Sequence, residues 1–215
     1  MTSFFNTCLI TLAVIFLIYL AKNHLKEEPT PMPHPNISKW HLNTSNAGKL
    51  KEFQNLFNKY NIELFSTQFD LDEIDSDPAS VVAHKASQLD ELILIEDTSL
   101  DIEGASIGIN VRWLIEHLNE HIGRKALWTV LLAYRQADEV LIYKGEVKGT
   151  ITHARGDQGF GFDPVFLPEN SNQTLAEAKP DEANARALAV EALVKGNMFK
   201  KVKAIYNWDG PWQEN

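Results

Sequence analysis

Several absences narrow this chain before any motif is read. It has one cysteine, Cys8. A single thiol forms neither an intrachain disulfide nor a thiolate metal centre, and Cys8 sits in an apolar stretch as a small hydrophobe. The seven histidines show no metal-ligand spacing, and His84, His117 and His121 fall on or beside predicted helices as surface or packing residues. There is no nucleophile elbow, no Ser/His/Asp order and no Cys/His arrangement, so covalent catalysis of those kinds has no starting point. Positive charge is also scarce: 20 Lys and Arg stand against 29 Asp and Glu, a net charge of −9. Proteins that track a nucleic-acid backbone are usually basic, so no nucleic-acid partner is expected. The acidic balance still leaves room for a small phosphorylated ligand held by a few local cations or a metal. Internal repeats are missing, as is low-complexity sequence outside one proline-alternating stretch.

The one long hydrophobic run lies at the start. Phe4 to Ala21 carries no charge over 18 residues, close to the ~20 that span a bilayer as a helix. A cleavable signal peptide is the competing reading, but no Lys or Arg precedes the run, and Tyr19 and Ala21 make a poor small-x-small site. A misassigned start codon is a third. Lys22 and Lys26 follow the run, which puts its C-terminal side in the cytoplasm under the positive-inside rule. The expectation is a membrane protein anchored by one N-terminal transmembrane helix, residues 1–21, with its domain cytoplasmic. Pro29, Pro31, Pro33 and Pro35 make residues 22–36 an extended spacer. Residues 37–215 then form the domain, long enough for a sizeable core.

Within it, Ser38 to Thr44 reads as a strand. Leu50, Phe53, Leu56, Phe57 and Tyr60 recur at helical spacing, predicting an amphipathic helix over 46–60. Ile62 to Thr67 reads as a second strand. Pro78 to Leu89 reads as a helix with Asp77 as its cap and Pro78 at its first position. Leu92 to Ile95 is a continuous apolar run, as in a strand buried on both faces, and it stops at Glu96-Asp97-Thr98. Val111 to Leu118 reads as a helix. Ala126 to Tyr134, Val140 to Glu146 and Lys148 to Ala154 read as three antiparallel strands, and Asp181 to Lys195 as a last helix. Early strand–helix alternation followed by an antiparallel run predicts an α/β domain with a mixed sheet.

The chemistry gathers at three places. Thr44-Ser45-Asn46-Ala47-Gly48-Lys49 joins a strand to a helix start, where free N–H groups and the helix dipole favour an anion and Lys49 adds a point charge. It is not the Walker pattern, which has a longer Gly-rich loop; a plainly capped helix with a surface lysine is the alternative. Glu96 and Asp97 close an apolar strand where α/β sheets bind ligands. With Glu73 in the acidic loop after Asp70, they could hold a hard cation such as Mg²⁺, which takes one or two carboxylates and completes its shell with water and phosphate. Gly159-Phe160-Gly161-Phe162-Asp163-Pro164 sets two glycines among aromatics, a pattern for close backbone approach and for stacking on a flat base, or for a tight turn over two core aromatics.

Taken together these segments resemble the inosine triphosphate pyrophosphatase family, from about Trp40 to the end of the domain. Thr44, Asn46 and Lys49 fall on its Thr-x-Asn-x-x-Lys phosphate loop, Glu73 on a metal-binding glutamate and Lys85 on a phosphate-contacting lysine. Glu96-Asp97-Thr98 falls on its acidic strand end, where the Asp serves metal binding or water activation. Phe160-Gly161-Phe162-Asp163 falls on its base-binding segment, and Arg112-Trp113 takes the place of a Lys-Trp pair. The resemblance implies a two-lobed body around a long mixed sheet with a central cleft, a Mg²⁺ requirement, a nucleoside triphosphate substrate and often a homodimer. It implies Asp97, Lys49 and Lys85 as catalytic residues, and Glu73, Asp97 and Glu96 at the metal. Thr44, Asn46, Thr98 and Arg112 join Phe160 to Asp163 around the substrate.

One departure stands out. The family closes its site with Lys-Asn and then Ser-His-Arg on the last helix. Without a gap, Ala183 falls on the lysine, and Ala187, Leu188 and Ala189 fall on Ser-His-Arg. A gap would put Arg186 at the arginine, but a gap inside a helix rotates its face. The segment between Gly104 and Arg124 is also short and lacks the family's Gly-Pro-rich stretch. The phosphate and metal half is expected intact and the base half eroded. That leaves an active pyrophosphatase with altered or relaxed base preference, or a catalytically weak, membrane-tethered nucleotide-binding module of the same fold.

Overall fold

The computed structural model describes residues 37–105 and 111–213. In chain order these form β1 (Lys39–Asn43), α1 (Ala47–Asn58), β2 (Glu63–Thr67), α2 (Pro78–Ser87), β3 (Ile93–Ile102), α3 (Val111–Glu116), α4 (Leu118–His121), β4 (Lys125–Gln136), β5 (Glu139–Ile151), β6 (Phe166–Pro168), α5 (Ala185–Lys195) and β7 (Lys200–Lys203). One sheet runs in the order β2-β1-β3-β4-β5-β6, with β7 also on β5. β1 is parallel to β2 and β3, and every other pair is antiparallel. The α/β class and mixed sheet are those expected from the pattern.

One part of the fold expectation is corrected, and the expected location with it. Among the described residues no helix is long and apolar enough to cross a membrane, and the run Phe4 to Ala21 lies outside them. The described fold therefore has no membrane-spanning helix, and no described element supports the expected anchored location. The described residues of the domain belong to one compact unit.

Alternation along β3 decides where the chemistry goes. Leu94 packs with Trp40, Leu42, Phe53, Trp128 and Leu132 on the face covered by α1 and α5. Ile95 packs with Val82, Ala83, Ala86, Leu131 and Ala133 on the face covered by α2. Both are buried, as the unbroken apolar run implies. Side chains continue to alternate, so Glu96 follows Leu94 toward α1 and α5, while Asp97 follows Ile95 toward α2. The strand does not end at these acids. β1 covers β3 only to Ile95, whereas β4 pairs with it through Ile102. The carboxylates therefore lie at the edge that β1 vacates when it turns into α1.

The caps explain the helix starts. Asn46 caps α1, and Asp77 caps α2 ahead of Pro78. α5 begins at Ala185, later than expected, because the side chain of Asn184 accepts from the Arg186 and Ala187 N–H groups. β5 is one strand where two were expected. Its Gly145 permits α5 to lie directly on the sheet: a Cβ there would sit 2.0 Å from the Ala185 carbonyl oxygen and 2.6 Å from the Ala189 nitrogen. β6 and β7 were not anticipated; three and four residues long, they carry too little periodicity to show.

Candidate active site

The loop between β1 and α1 is held by nested hydrogen bonds. Asn46 N donates to Thr44 Oγ1 (3.2 Å) and Lys49 N donates to Asn46 Oδ1 (3.0 Å). Thr44 and Asn46 thus shape the loop from inside. Lys49 reaches out of it, its Nζ donating to Glu96 Oε2 at 2.6 Å. The Phe160 ring lies over the same loop, 3.2 Å from where a Cβ on Gly48 would stand, so the phosphate and aromatic segments adjoin.

The two β3 carboxylates have different lives. Glu96 is buried among cations: beside Lys49 it has Arg186 Nε at 3.5 Å from Oε1, and the Thr98 hydroxyl donates to that same oxygen. Burial alone would raise its carboxyl, but the charges of Lys49 and Arg186 and the hydrogen bonds from Lys49 and Thr98 outweigh it and hold Glu96 below the usual range. Asp97 is pushed above its usual range, by burial first; Lys85 opposes the rise, and the negative charges of Glu96 and Glu73 add to it. Adjacent acids driven apart in this way suit different roles. On the Asp97 side, Lys85 Nζ stands 2.9 Å from Glu73 Oε1 and 3.8 Å from Asp97 Oδ1. Glu73 and Asp97 therefore share one cation, whereas Glu96 faces the other side of the sheet.

Among the described residues no group of three or more His, Cys, Asp or Glu could hold a metal ion. A caged cation is not built here. A pair of carboxylates already converging on one positive charge fits an ion that draws its remaining ligands from water and phosphate; Glu73 and Asp97 meet that description and Glu96 does not.

The aromatic segment turns on Gly159 and Gly161, both at positive φ. Asp163, buried, accepts from Phe160 N (3.0 Å) and from Lys179 Nζ (3.0 Å). Phe162 is a core residue, edge-on to Trp128 at 5.6 Å, which leaves Phe160 as the ring beside the polar groups. Arg112 lies in α3, and its side chain is outside the described residues.

Glu52 and Lys179 escaped the sequence reading, and Arg186 entered it only through the gapped alignment. Lys179 Nζ is 3.0 Å from both Asp163 Oδ2 and Glu52 Oε1. Asn184 Nδ2 also donates to Glu52 Oε1 (2.8 Å), and Arg186 NH1 to Glu52 Oε2 (3.2 Å). The Arg186 guanidinium lies 4.9 Å from the Phe160 ring centre and 5.3 Å from that of Trp128. Both Arg186 Nε and Trp128 Nε1 are buried without a hydrogen-bond partner among the described residues. The base half is therefore populated. Arg186 enters it because Asn184, as cap, starts the helix afresh, so a gap ahead of Asn184 rotates nothing. Ala187 and Ala189 are buried in the core. The cap signature Asn-x-Arg was the available clue; Glu52, one helical turn after Lys49, and Lys179 had none.

A family model described as the Ham1 family matches residues 40–196. The chain belongs to the Ham1 family. It is 31% identical over 178 residues to an inosine triphosphate pyrophosphatase of Yarrowia lipolytica, covering 75% of this chain and 95% of that one. It is 30% identical over 158 residues to a dITP/XTP pyrophosphatase of Thermococcus kodakarensis, covering 66% of this chain and 85% of that one. A crystal structure titled nucleoside-triphosphatase / dITP/XTP pyrophosphatase, from Mycobacterium abscessus, aligns with a TM-score of 0.47 at 22% identity, over 67% of this chain and 90% of that one.

Proposed function

We propose that this protein is a nucleoside triphosphate pyrophosphatase that converts its substrate to the monophosphate and pyrophosphate. The observation that carries the reading is the pair of lysine–carboxylate contacts on opposite faces of β3: Lys49 with Glu96, and Lys85 with Glu73 and Asp97. A triphosphate entering at the β1 edge meets both ammonium groups. Lys49 and Lys85 offset the charge that builds on the departing pyrophosphate. Asp97 accepts a proton from the attacking water. The water oxygen bonds to the α-phosphorus, the bond from that phosphorus to the bridging oxygen breaks, and pyrophosphate leaves with the electron pair. Glu73 and Asp97 are the residues that would hold Mg²⁺, which when bound neutralises phosphate charge and acidifies water.

The same reading assigns the base to Phe160, Lys179 and Arg186. Phe160 offers a face to stack on. Lys179 and Arg186 are donors only, so they match a carbonyl oxygen on a base edge and leave an exocyclic amino group unpaired. Preference for oxo-purines over adenine follows, and it replaces the relaxed specificity expected from the missing Ser-His-Arg. Pyrophosphate release measured with the full-length protein over inosine, xanthosine, guanosine, adenosine and cytidine triphosphates tests both parts. The reading expects kcat/KM for inosine triphosphate to exceed that for adenosine triphosphate by about tenfold or more. Release of orthophosphate without pyrophosphate would overturn the activity, and equal rates for inosine and adenosine would overturn the base assignment.

A further inference from the structure

Residues 197–213 lie beyond the stretch matched by the family, which ends at residue 196. The tail they form finishes on the loop that carries Glu73. β7 lies on β5, Ala204 N donates to the Asp138 carbonyl (2.9 Å), and Ile205 N donates to Ser87 Oγ at the end of α2 (2.8 Å). The chain then turns, with Trp208 Nε1 donating to the Pro211 carbonyl (2.8 Å), and closes an antiparallel bridge of Trp212 on Ile74. Asp75 N donates to the Pro211 carbonyl and Gln213 N to the Glu73 carbonyl, each at 2.9 Å. Gln213 Nε2 adds a bond to the Ile74 carbonyl (3.1 Å), and the Trp212 ring stands edge-on to His84 of α2 at 5.4 Å.

The loop needs such a hold. Asp70, Asp72, Glu73, Asp75 and Asp77 crowd it with like charge, which drives its residues apart. Gln88 secures one side, accepting from Asp72 N (3.0 Å) and donating to the Asp72 carbonyl (2.9 Å). The tail secures the other, at Glu73 itself and its two successors. We propose that Pro211 to Gln213 act as a positioning strap for the Glu73 carboxylate, holding it toward Asp97 so that the two meet one divalent cation. The strap rests on the pyrophosphatase reading for the role of Glu73. It touches neither substrate nor reacting atoms, and its work is to keep a ligand pair assembled before the metal arrives.

Three proteins test it: the full chain, the chain ending at Gly210, and full-length Gln213→Pro, which deletes the N–H that meets the Glu73 carbonyl. The first readout is the Mg²⁺ concentration that half-saturates the rise in thermal midpoint, with Mg²⁺ alone and no nucleotide. Both altered chains should need about tenfold more Mg²⁺, the scale of losing one or two backbone hydrogen bonds that preorganise a site. The Mg²⁺ needed for half-maximal pyrophosphate release should rise in step, with kcat at saturating Mg²⁺ within about twofold of the parent. Trp212→Phe keeps the backbone bridge and an aromatic ring against His84, and should behave as the parent. Hydrogen exchange at the Asp75 amide should quicken in the truncated chain while the Ile95 amide stays protected. Unchanged Mg²⁺ midpoints overturn the strap, as does a fall in kcat at saturating Mg²⁺ with the midpoint unmoved. A protein that releases pyrophosphate from no nucleotide, yet shows the shifted Mg²⁺ midpoint, sinks the pyrophosphatase reading and leaves the strap standing.

Discussion

On one side of the site the polar groups come from motifs a few residues long; on the other they arrive from five separate segments. Thr44, Asn46 and Lys49 sit on one loop, Glu96 and Asp97 are neighbours on β3, and Glu73 and Lys85 lie twelve residues apart. The base side takes Glu52 from α1, Trp128 from β4, Phe160 and Asp163 from a turn, Lys179 from a loop and Arg186 from α5. Apart from Glu73, which the tail holds from afar, the first set is fixed by local backbone geometry. The second holds together through ion pairs spanning most of the domain, such as Arg186 with Glu52. A set built this way can lose its sequence motif and keep its charges, because a residue from another position can carry a cation to the same place.

The sharpest test of the local set is Asp97→Asn. The substitution keeps the shape and removes the proposed proton acceptor. Turnover should fall about a hundredfold or more, the scale of losing a positioned acid–base group, with KM for the nucleotide changed much less. Steady-state pyrophosphate release decides it, and near-parental kcat would remove Asp97 from the chemistry.

Arg186→Met tests the distributed set. Glu96 and Glu52 each keep a lysine, but both lose a buried cation. Unpairing buried charge costs about 3 kcal/mol at the lower end of such changes, readable as a drop in denaturant midpoint. KM for inosine triphosphate should rise by about tenfold while kcat moves less, if the arginine meets the base and not the α-phosphorus as proposed. Arg186→Lys should fail to restore either quantity: a single ammonium cannot reach Glu52, Glu96 and Thr98 as a planar fork can. Full rescue by lysine would mean that charge alone is read there.

The sequence disclosed the first set almost completely and the second hardly at all, for a physical reason. A phosphate loop, a capped helix and an apolar strand running into acids each have a local cause, so β1, α1, α2 and the start of β3 were legible. The continuation of β3 past Glu96 was not, because its cause is a partner strand, β4, some thirty residues on. Arg186 was legible only as one of two alignments, and the choice between them turned on Asn184 being a helix cap. Lys179 and Glu52 were silent: a lysine before a proline and a glutamate on an amphipathic helix look like any surface pair until the fold brings them to 3.0 Å.

A third substitution asks whether Ser-His-Arg can be put back by sequence position. Ala189 is buried, and its nitrogen lies 2.6 Å from where a Cβ on Gly145 would stand. Ala189→Arg therefore overfills the contact between α5 and β5 and should cost about 1–3 kcal/mol, with no sharpening of base preference. A variant as stable as its parent and more selective for inosine would return the ungapped alignment to favour.

The finest division between the two sets runs through β3 itself and is read by pH. The ordinary values are 3.8 for Asp97 and 4.5 for Glu96. Folding raises Asp97, through burial above all, so just above pH 3.8 the folded state binds more protons than the unfolded one, and stability falls as pH rises through that window. Glu96 has the opposite sign. Burial works against its ionised form, but Lys49 and Arg186 more than compensate, so its contribution is fully present above pH 4.5 and is lost as pH falls through the lowered folded value. In chelator, Asp97→Asn should melt above its parent at neutral pH, with the gain vanishing as the pH drops to the ordinary aspartate value. Glu96→Gln should melt below its parent at neutral pH, and the deficit should shrink on acidification. Thermal midpoints across the acid-to-neutral range check both. An Asp97→Asn protein less stable than its parent at neutral pH would show that Lys85 outweighs burial. Asp97 would then be a tethered structural carboxylate like Glu96, and the division of labour between the neighbouring acids would fall.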